Sequence, residues 1–119
     1  MGLDIYFFKK KEIGYFRKVN FLVKYFANNH HMDVDDQIPV YVEKDAVIDL
    51  LDRCNKVLEN HELAEELLPT MSGFFFGNTK YDEYYFENVE RVRDYIKDKL
   101  LPMFDSLEEN EFIEFDIWY

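Results

Sequence analysis

Apolar and polar positions alternate at the start of the chain. Leu3, Ile5 and Phe7 point to one side of an extended segment, and the residues between them point to the other. Both sides are largely apolar, which is typical of a strand covered on both faces. The pattern predicts a strand over residues 3–8, followed by a charged turn that ends at Gly14.

Helical spacing begins after this turn. One apolar stripe recurs at intervals of three, three, one and three residues and contains Phe16, Val19, Leu22, Val23 and Phe26. A separate polar stripe contains Arg17, Asn20 and Lys24. The polar stretch 27–37 ends this helix, and residues 38–43 predict a short strand whose Pro39 favours an edge position or a strand start.

Two further helical regions precede the end of the chain. The first has a buried face made of Val47, Leu50, Leu51, Cys54 and Leu58, and residues 60–68 add short helical turns before Pro69. The second is the longest and has its stripe at Tyr85, Val89, Val92, Ile96, Leu100 and Met103. We expect Pro102 to kink or end it.

Alternation returns at the end of the chain, where Ile113, Phe115, Ile117 and Tyr119 share one face of a predicted strand. The sequence therefore predicts a single α+β domain over residues 1–119. A small antiparallel or mixed sheet would include the N- and C-terminal strands and pack with three to four helices.

Composition and charge narrow the function classes. The chain has 119 residues, of which 48% are hydrophobic and 18% aromatic, enough to bury a core and to exclude global disorder. Its net charge of -11 repels nucleic-acid backbones and anionic membranes, so we expect neither as a direct partner. A single cysteine and the lack of a signal-peptide pattern favour a cytoplasmic location.

Several segments together resemble a family of short phage and prophage proteins. They are "MGLDIY", "IGYFRKVNFLVKYF", "LLPTMSGFFFGNTKYDEYYFENV" and the terminal "WY". Members often read MGLDMYL, then GYWRKAN, then SGFFFGSTEYDEYYF, and the resemblance covers most of the chain. It implies a bacterial host-cell cytoplasm and no established activity. Phe16 stands where the family often has tryptophan, and Val23 where some members have a histidine-containing helix.

The stretch 72–86, "SGFFFGNTKYDEYYF", is the first candidate site. Its glycines Gly73 and Gly77 allow a close backbone approach to a ligand. Its polar and aromatic groups suit hydrogen bonding and stacking, and we predict as ligand-binding residues Ser72, Thr79, Tyr81, Tyr84 and Tyr85. We assign Phe74–Phe76 to the core. The alternative role for the tyrosines is to cover that core instead of binding a ligand.

A second candidate lies on the first predicted helix. Tyr15, Arg17, Asn20 and Lys24 could face one cleft, where the two cations would bind phosphate or carboxylate. The alternative is a solvated helix face that pairs with the surplus acids. We expect this helix and the Ser72–Tyr85 stretch to meet around the same cleft.

Other reactive groups give weaker signals. The run His30, His31, Asp33, Asp35 and Asp36 fits neither a zinc nor a calcium motif, so we expect no metal and no cofactor. Cys54 lies on an apolar helix face and is interpreted as an inert thiol. No catalytic constellation emerges among the paired carboxylates.

Three hypotheses about function follow. The leading one is a non-enzymatic binding protein of phage or prophage origin that modulates a host process or defence through a host protein or a small ligand. The alternatives are sequestration or turnover of a nucleotide-like ligand in the predicted cleft, and an acidic mimic of nucleic acid. The chain is expected to be a monomer or a homodimer joined through a sheet edge.

Overall fold

A computed structural model of the protein describes residues 2–35, 38–73 and 78–118. Four helical segments and two strands lie in these ranges. In chain order they are α1 (Asn20–Asn29), β1 (Val40–Val42), α2 (Lys44–Glu59), a 3-10 turn (His61–Leu63) that leads into α3 (Ala64–Leu67), a long helix composed of α4 (Glu83–Tyr95), a π-helical turn (Ile96–Leu100) and α5 (Leu101–Asp105), and β2 (Ile113–Phe115). The predictions made for Asp36, Phe74–Phe76, Gly77 and Tyr119 fall outside the described residues.

The two strands form one antiparallel sheet, so the predicted α+β class is confirmed. Val42 pairs with Ile113, and both side chains are buried. Tyr41 pairs with Glu114 on the opposite face, since successive strand residues point to opposite sides. The inner face packs on α1, where Phe115 stacks on Phe26 with ring centroids 4.3 Å apart.

The expected N-terminal strand is not among the strands of the described residues. Residues 2–16 have no regular secondary structure, and the partner of the C-terminal strand is β1 instead. Leu3 and Phe7 are 86% and 99% exposed, so the apolar side chains that predicted a covered strand are open to solvent. The segment contacts β2 through side chains only, as described below.

The core lies between the helices and the inner face of the sheet. Six of the ten residues of α1 are buried, because this helix contacts neighbours on most of its surface. The most deeply buried core side chains come from α1, α2, the end of α3, and the long helix: Phe21, Tyr25, Val47, Cys54, Val57, Leu68, Val89, Val92 and Ile96. No helix within the described ranges is both long and apolar enough for a membrane crossing.

The long helix continues through Pro102 rather than ending there. Proline removes one backbone donor and its ring crowds the carbonyl four residues earlier, here that of Asp98. The helix widens to π geometry over Ile96–Leu100, immediately before the proline, and regains α geometry at Leu101. Asp82 starts the same helix by accepting a bond from the Tyr85 N–H at 3.0 Å.

Candidate functional site

The first residue of α1 ties together the two ends of the predicted binding loop. Asn20 Nδ2 donates to the carbonyl of Asn78 at 2.9 Å, and Asn20 Oδ1 accepts from the N–H of Met71 at 3.2 Å. Its side chain is buried, so these bonds form where water competes weakly. The two loop ends are thereby held at a fixed spacing.

A second pair of contacts closes the loop next to Asn20. The Tyr81 hydroxyl accepts from the Thr70 N–H at 3.1 Å, and Thr70 Oγ1 donates to the carbonyl of Thr79 at 2.9 Å. We call Thr70, Met71, Asn78, Thr79 and Tyr81 the loop base. Polar side chains within it mostly bond backbone groups, so contacts inside the protein define its shape.

Tyr85 supports the loop base from below. Its ring is buried and packs edge-on against Tyr81, with centroids 5.0 Å apart, and against Phe21 at 5.6 Å. Its hydroxyl donates to the carbonyl of Leu68 at 2.7 Å. Burial raises the pKa of this phenol because the phenolate would lose its hydration. The hydroxyl proton and the ring of Tyr85 are thus used in contacts inside the protein.

The remaining predicted loop residues are accessible. Ser72, Thr79 and Tyr84 are exposed, and Tyr84 lies in the first turn of α4 beside the loop base. Lys24 is half-buried on α1 and lies one helical turn beyond Asn20 on the same face. Thr79 belongs to the loop base and Ser72 follows Met71 directly, whereas Lys24 and Tyr84 lie on the two helices that begin beside it in the fold and in the sequence.

The helix face predicted from Arg17, Asn20 and Lys24 is not a single face. Lys18 has a positive φ of 56°, which interrupts helical geometry, so α1 begins only at Asn20. Arg17 and Tyr15 are exposed and belong to the preceding segment, which packs on α4 through Phe16. Among the described residues, Asn20 forms hydrogen bonds to the loop, whereas Tyr15 and Arg17 form none to it.

A polar network that the sequence reasoning missed lies at the other end of α1. The Tyr25 hydroxyl lies 2.8 Å from Asp49 Oδ2 and 3.0 Å from the carbonyl of Ala46, and His30 Nε2 lies 3.2 Å away. Since the single phenol proton serves two acceptors, the His30 nitrogen must be the donor in the third contact. Burial, followed by the bond to Asp49, raises the pKa of Tyr25.

Arg53 completes this network. Its Nε lies 2.9 Å from Asp49 Oδ2, its Nη1 donates to the carbonyl of Leu67 at 3.0 Å, and its guanidinium lies 5.4 Å from the centre of the Tyr25 ring. The network joins α1, α2 and the end of α3. The four-residue spacing of Asp49 and Arg53 was the one signal in the sequence that could have revealed part of it.

The structure shows the surroundings of the histidine and cysteine residues that were considered as metal ligands or as a nucleophile. His30 is engaged with Tyr25, and in the described part of the chain no three His, Cys, Asp or Glu side chains could hold a metal ion together. Asp36 of the predicted run lies outside that part. Cys54 is fully buried, and burial raises the pKa of its thiol to about 12, which suppresses the reactive thiolate.

Comparison with protein-family models, with curated proteins and with solved structures finds no match to this chain. The resemblance to short phage and prophage proteins therefore stays a prediction. The function has to be inferred from the geometry above.

Proposed function

We propose that this protein is a non-enzymatic binding protein of phage or prophage origin that engages a host protein through the surface around its loop base. The observation that carries the proposal is the pair of hydrogen bonds that join the Asn20 side chain to Met71 and to Asn78. Because the two ends of the loop are held in place before binding, these ends lose less conformational entropy when they meet a partner. Loops on a rigid scaffold are where binding residues concentrate.

The distribution of side chains supports this reading. Ser72 and Thr79 offer hydroxyls at the two ends of the loop, and Tyr84 offers an exposed ring in the first turn of α4. Exposed tyrosine combined with small hydroxyl residues is a composition that protein-binding surfaces use repeatedly. The one cysteine is unsuited to nucleophilic catalysis because its pKa is raised.

A second candidate is sequestration of a small anionic, nucleotide-like ligand at the same surface. Lys24 favours it, because this half-buried cation lies one turn from the Asn20 anchor. Tyr84 would then supply a stacking face for a base.

Site-specific photo-crosslinking in bacterial host cells tests both candidates. A benzophenone amino acid replaces Ser72 or Thr79, and the control places it at Lys97, which is exposed and about 20 Å further along the helix that begins at Glu83. We expect a discrete protein adduct at the loop positions, absent at Lys97 and weakened by Asn20→Ala. An adduct of small-molecule mass would contradict the protein partner and support the small ligand. Equal adducts at all three positions would reject the surface.

A further inference from the structure

Aromatic side chains cover the outer face of the two-stranded sheet. Phe112 lies one residue before β2 and contacts Tyr41 of β1, with ring centroids 4.9 Å apart. Phe8 meets Phe112 edge-on at 5.4 Å, and Tyr6 stacks on Phe8 at 6.0 Å. The N-terminal segment thus extends the sheet's outer surface without joining its backbone ladder.

Carboxylates lie beside these rings. Glu114 is the register partner of Tyr41, and Asp116 is two residues further along the same side of the chain. We define the outer sheet face as Tyr6, Phe8, Tyr41, Phe112, Glu114 and Asp116. The opposite side of the sheet holds Val42 and Ile113, which belong to the core.

The rings of this face are open to solvent. Tyr6, Phe8, Tyr41 and Phe112 are 70%, 60%, 68% and 39% exposed. Scattered exposed apolar residues are ordinary, but contiguous exposed rings in mutual contact mark interaction surfaces. The inner side of the sheet packs on α1, so the outer sheet face points away from the helix that anchors the loop base.

The charge of the outer sheet face is incompletely balanced. Lys10 forms an ion pair with Glu114, and this one amine serves two neighbouring carboxylates. Burial, and then the negative charge of Glu114, raises the pKa of the Asp116 carboxyl. An additional cation placed here would relieve that repulsion.

Rings next to a carboxylate already bind a guanidinium elsewhere in this protein. Arg53 lies 5.4 Å from the centre of the Tyr25 ring while its Nε contacts Asp49 at 2.9 Å. Tyr41 and Glu114 offer the same two groups as directly opposed residues of an antiparallel pair, whose Cβ atoms lie about 5 Å apart. A guanidinium that lies flat on Tyr41 would therefore come close to Glu114 and share its carboxylate with Lys10.

We infer that the outer sheet face binds an arginine-containing basic segment of a partner protein. Arginine suits it better than lysine, because the planar guanidinium stacks on rings and forms forked bonds to carboxylates. The net charge of -11 attracts such a segment over long range. A second copy of the chain is a poorer occupant, since it would bring another -11 charge and the same carboxylates.

This binding surface is independent of the one around the loop base, so the two proposals can fail separately. The probes are two synthetic peptides of the same length, one with arginines and one with lysines at the same positions in a Gly/Ser background. Isothermal titration calorimetry with the purified protein measures both at low and physiological salt. We expect the arginine peptide to bind several-fold tighter, about the difference that one cation–π contact predicts.

Two variants locate the binding. Tyr41→Ala should weaken binding of the arginine peptide several-fold, the loss expected for one exposed cation–π contact. Glu114→Gln, made separately, should weaken it about tenfold, the loss expected for one charge-assisted contact. Ile48→Ala on α2 and Glu90→Gln on α4 are controls at exposed positions, and both variants should bind the arginine peptide as the wild type does. Circular dichroism checks that all four variants fold. If Glu114→Gln fails to fold, Asp116→Asn tests the contribution of the carboxylates instead.

Three outcomes would overturn the inference. Equal affinity for the two peptides would reduce the effect to unspecific charge attraction. Unchanged binding in Tyr41→Ala, Glu114→Gln and Asp116→Asn would place the peptide elsewhere. A concentration-dependent dimer of the wild type that Tyr41→Ala abolishes would assign the face to a second copy of the chain.

Discussion

The side chain of Asn20 donates to the carbonyl of Asn78 across 58 residues of chain, at 2.9 Å. The same amide group accepts from the N–H of Met71. One buried side chain at the start of a helix therefore fixes both ends of a loop that has no regular secondary structure in its described part.

Replacing Asn20 by Ala should destabilise the protein by about 1–2 kcal/mol, because it removes two part-buried hydrogen bonds, to the Met71 N–H and the Asn78 carbonyl. Urea denaturation measures this loss, and amide hydrogen exchange should show faster exchange at Met71. Asn29→Ala is the control, since the Asn29 side chain only bonds Tyr25 within α1. A change within about 0.5 kcal/mol for Asn20→Ala would contradict the anchoring role.

Removing the Tyr25 hydroxyl tests the network at the other end of α1. Tyr25→Phe keeps the ring and loses the bonds to Ala46 and Asp49, and we expect a loss of about 1–2 kcal/mol in the free energy of unfolding. Tyr84→Phe, at an exposed position, should change it by less than about 0.5 kcal/mol. Equal effects in both variants would show that the network adds nothing to stability.

Alkaline pH should destabilise the folded protein. The pKa values of Tyr25, Tyr85 and Tyr95 are raised above the ordinary 10.0, chiefly by burial. Because the unfolded chain releases these protons near pH 10.0 and the folded chain retains them, their contribution is complete below that pH and is lost as the pH rises above it.

Thermal denaturation as a function of pH should record a falling Tm in this range. Ultraviolet titration of the phenols should show a group of tyrosines, Tyr25, Tyr85 and Tyr95 among them, that ionises only as the fold is lost. In denaturant all nine tyrosines should titrate together. Simple titration of every tyrosine in a protein that stays folded would contradict the burial described here.

Cys54 should react very slowly with a thiol reagent at neutral pH. Its side chain is fully buried and its thiol pKa is raised to about 12, so thiolate is scarce and access requires opening of the core. Absorbance of the released chromophore follows the reaction, and the same protein in guanidinium chloride should react fully. Rapid reaction of the folded protein would show an accessible thiol and reopen a chemical role for it.

Gly14 should tolerate no side chain while Tyr95 is present. A Cβ at Gly14 would lie 2.5 Å from Cζ and 3.0 Å from Cε2 of Tyr95, whose hydroxyl donates to the carbonyl of Ile13 at 2.9 Å. Gly14→Ala should therefore cost about 1–3 kcal/mol by overpacking. Gly2→Ala is the control, because its Cβ would meet no atom within 4 Å.

A double-mutant cycle separates this clash from a backbone effect. In a Tyr95→Ala background the cost of Gly14→Ala should nearly vanish, since the atoms in its way are gone. A cost that persists in that background would place the cause in the backbone of the N-terminal segment.

The periodicity of apolar residues predicted correctly which residues lie on the buried face of a single helix. Val47, Leu50 and Cys54 repeat at helical spacing and are buried on α2 as expected. The same reasoning assigned Asn20 to a polar stripe, but this residue is buried because its partners come from a loop more than 50 residues away. No pattern within one helix contains that information.

The candidate site was predictable only in outline. The expected meeting of the first helix with the stretch after Ser72 depended on a helix face that included Arg17, whereas the backbone of Lys18 ends that face. The alternation over residues 3–8 is genuine, but alternation does not identify a strand's partner, and β2 pairs with β1. Tyr25 was overlooked because an aromatic residue within an apolar helix gives no sign of the polar groups around its hydroxyl.

The pairing of β1 with β2 also sets an order of events during synthesis. About 70 residues separate Val40 from Ile113, so at roughly 5–20 residues per second the first strand waits about 4–14 s for its partner to be made. Helices α1, α2 and α4 are complete before then and can assemble around their shared core. The nascent chain therefore carries an unpaired strand edge while its helices are being made, and a chaperone or a neighbouring nascent chain has those seconds in which to cover it.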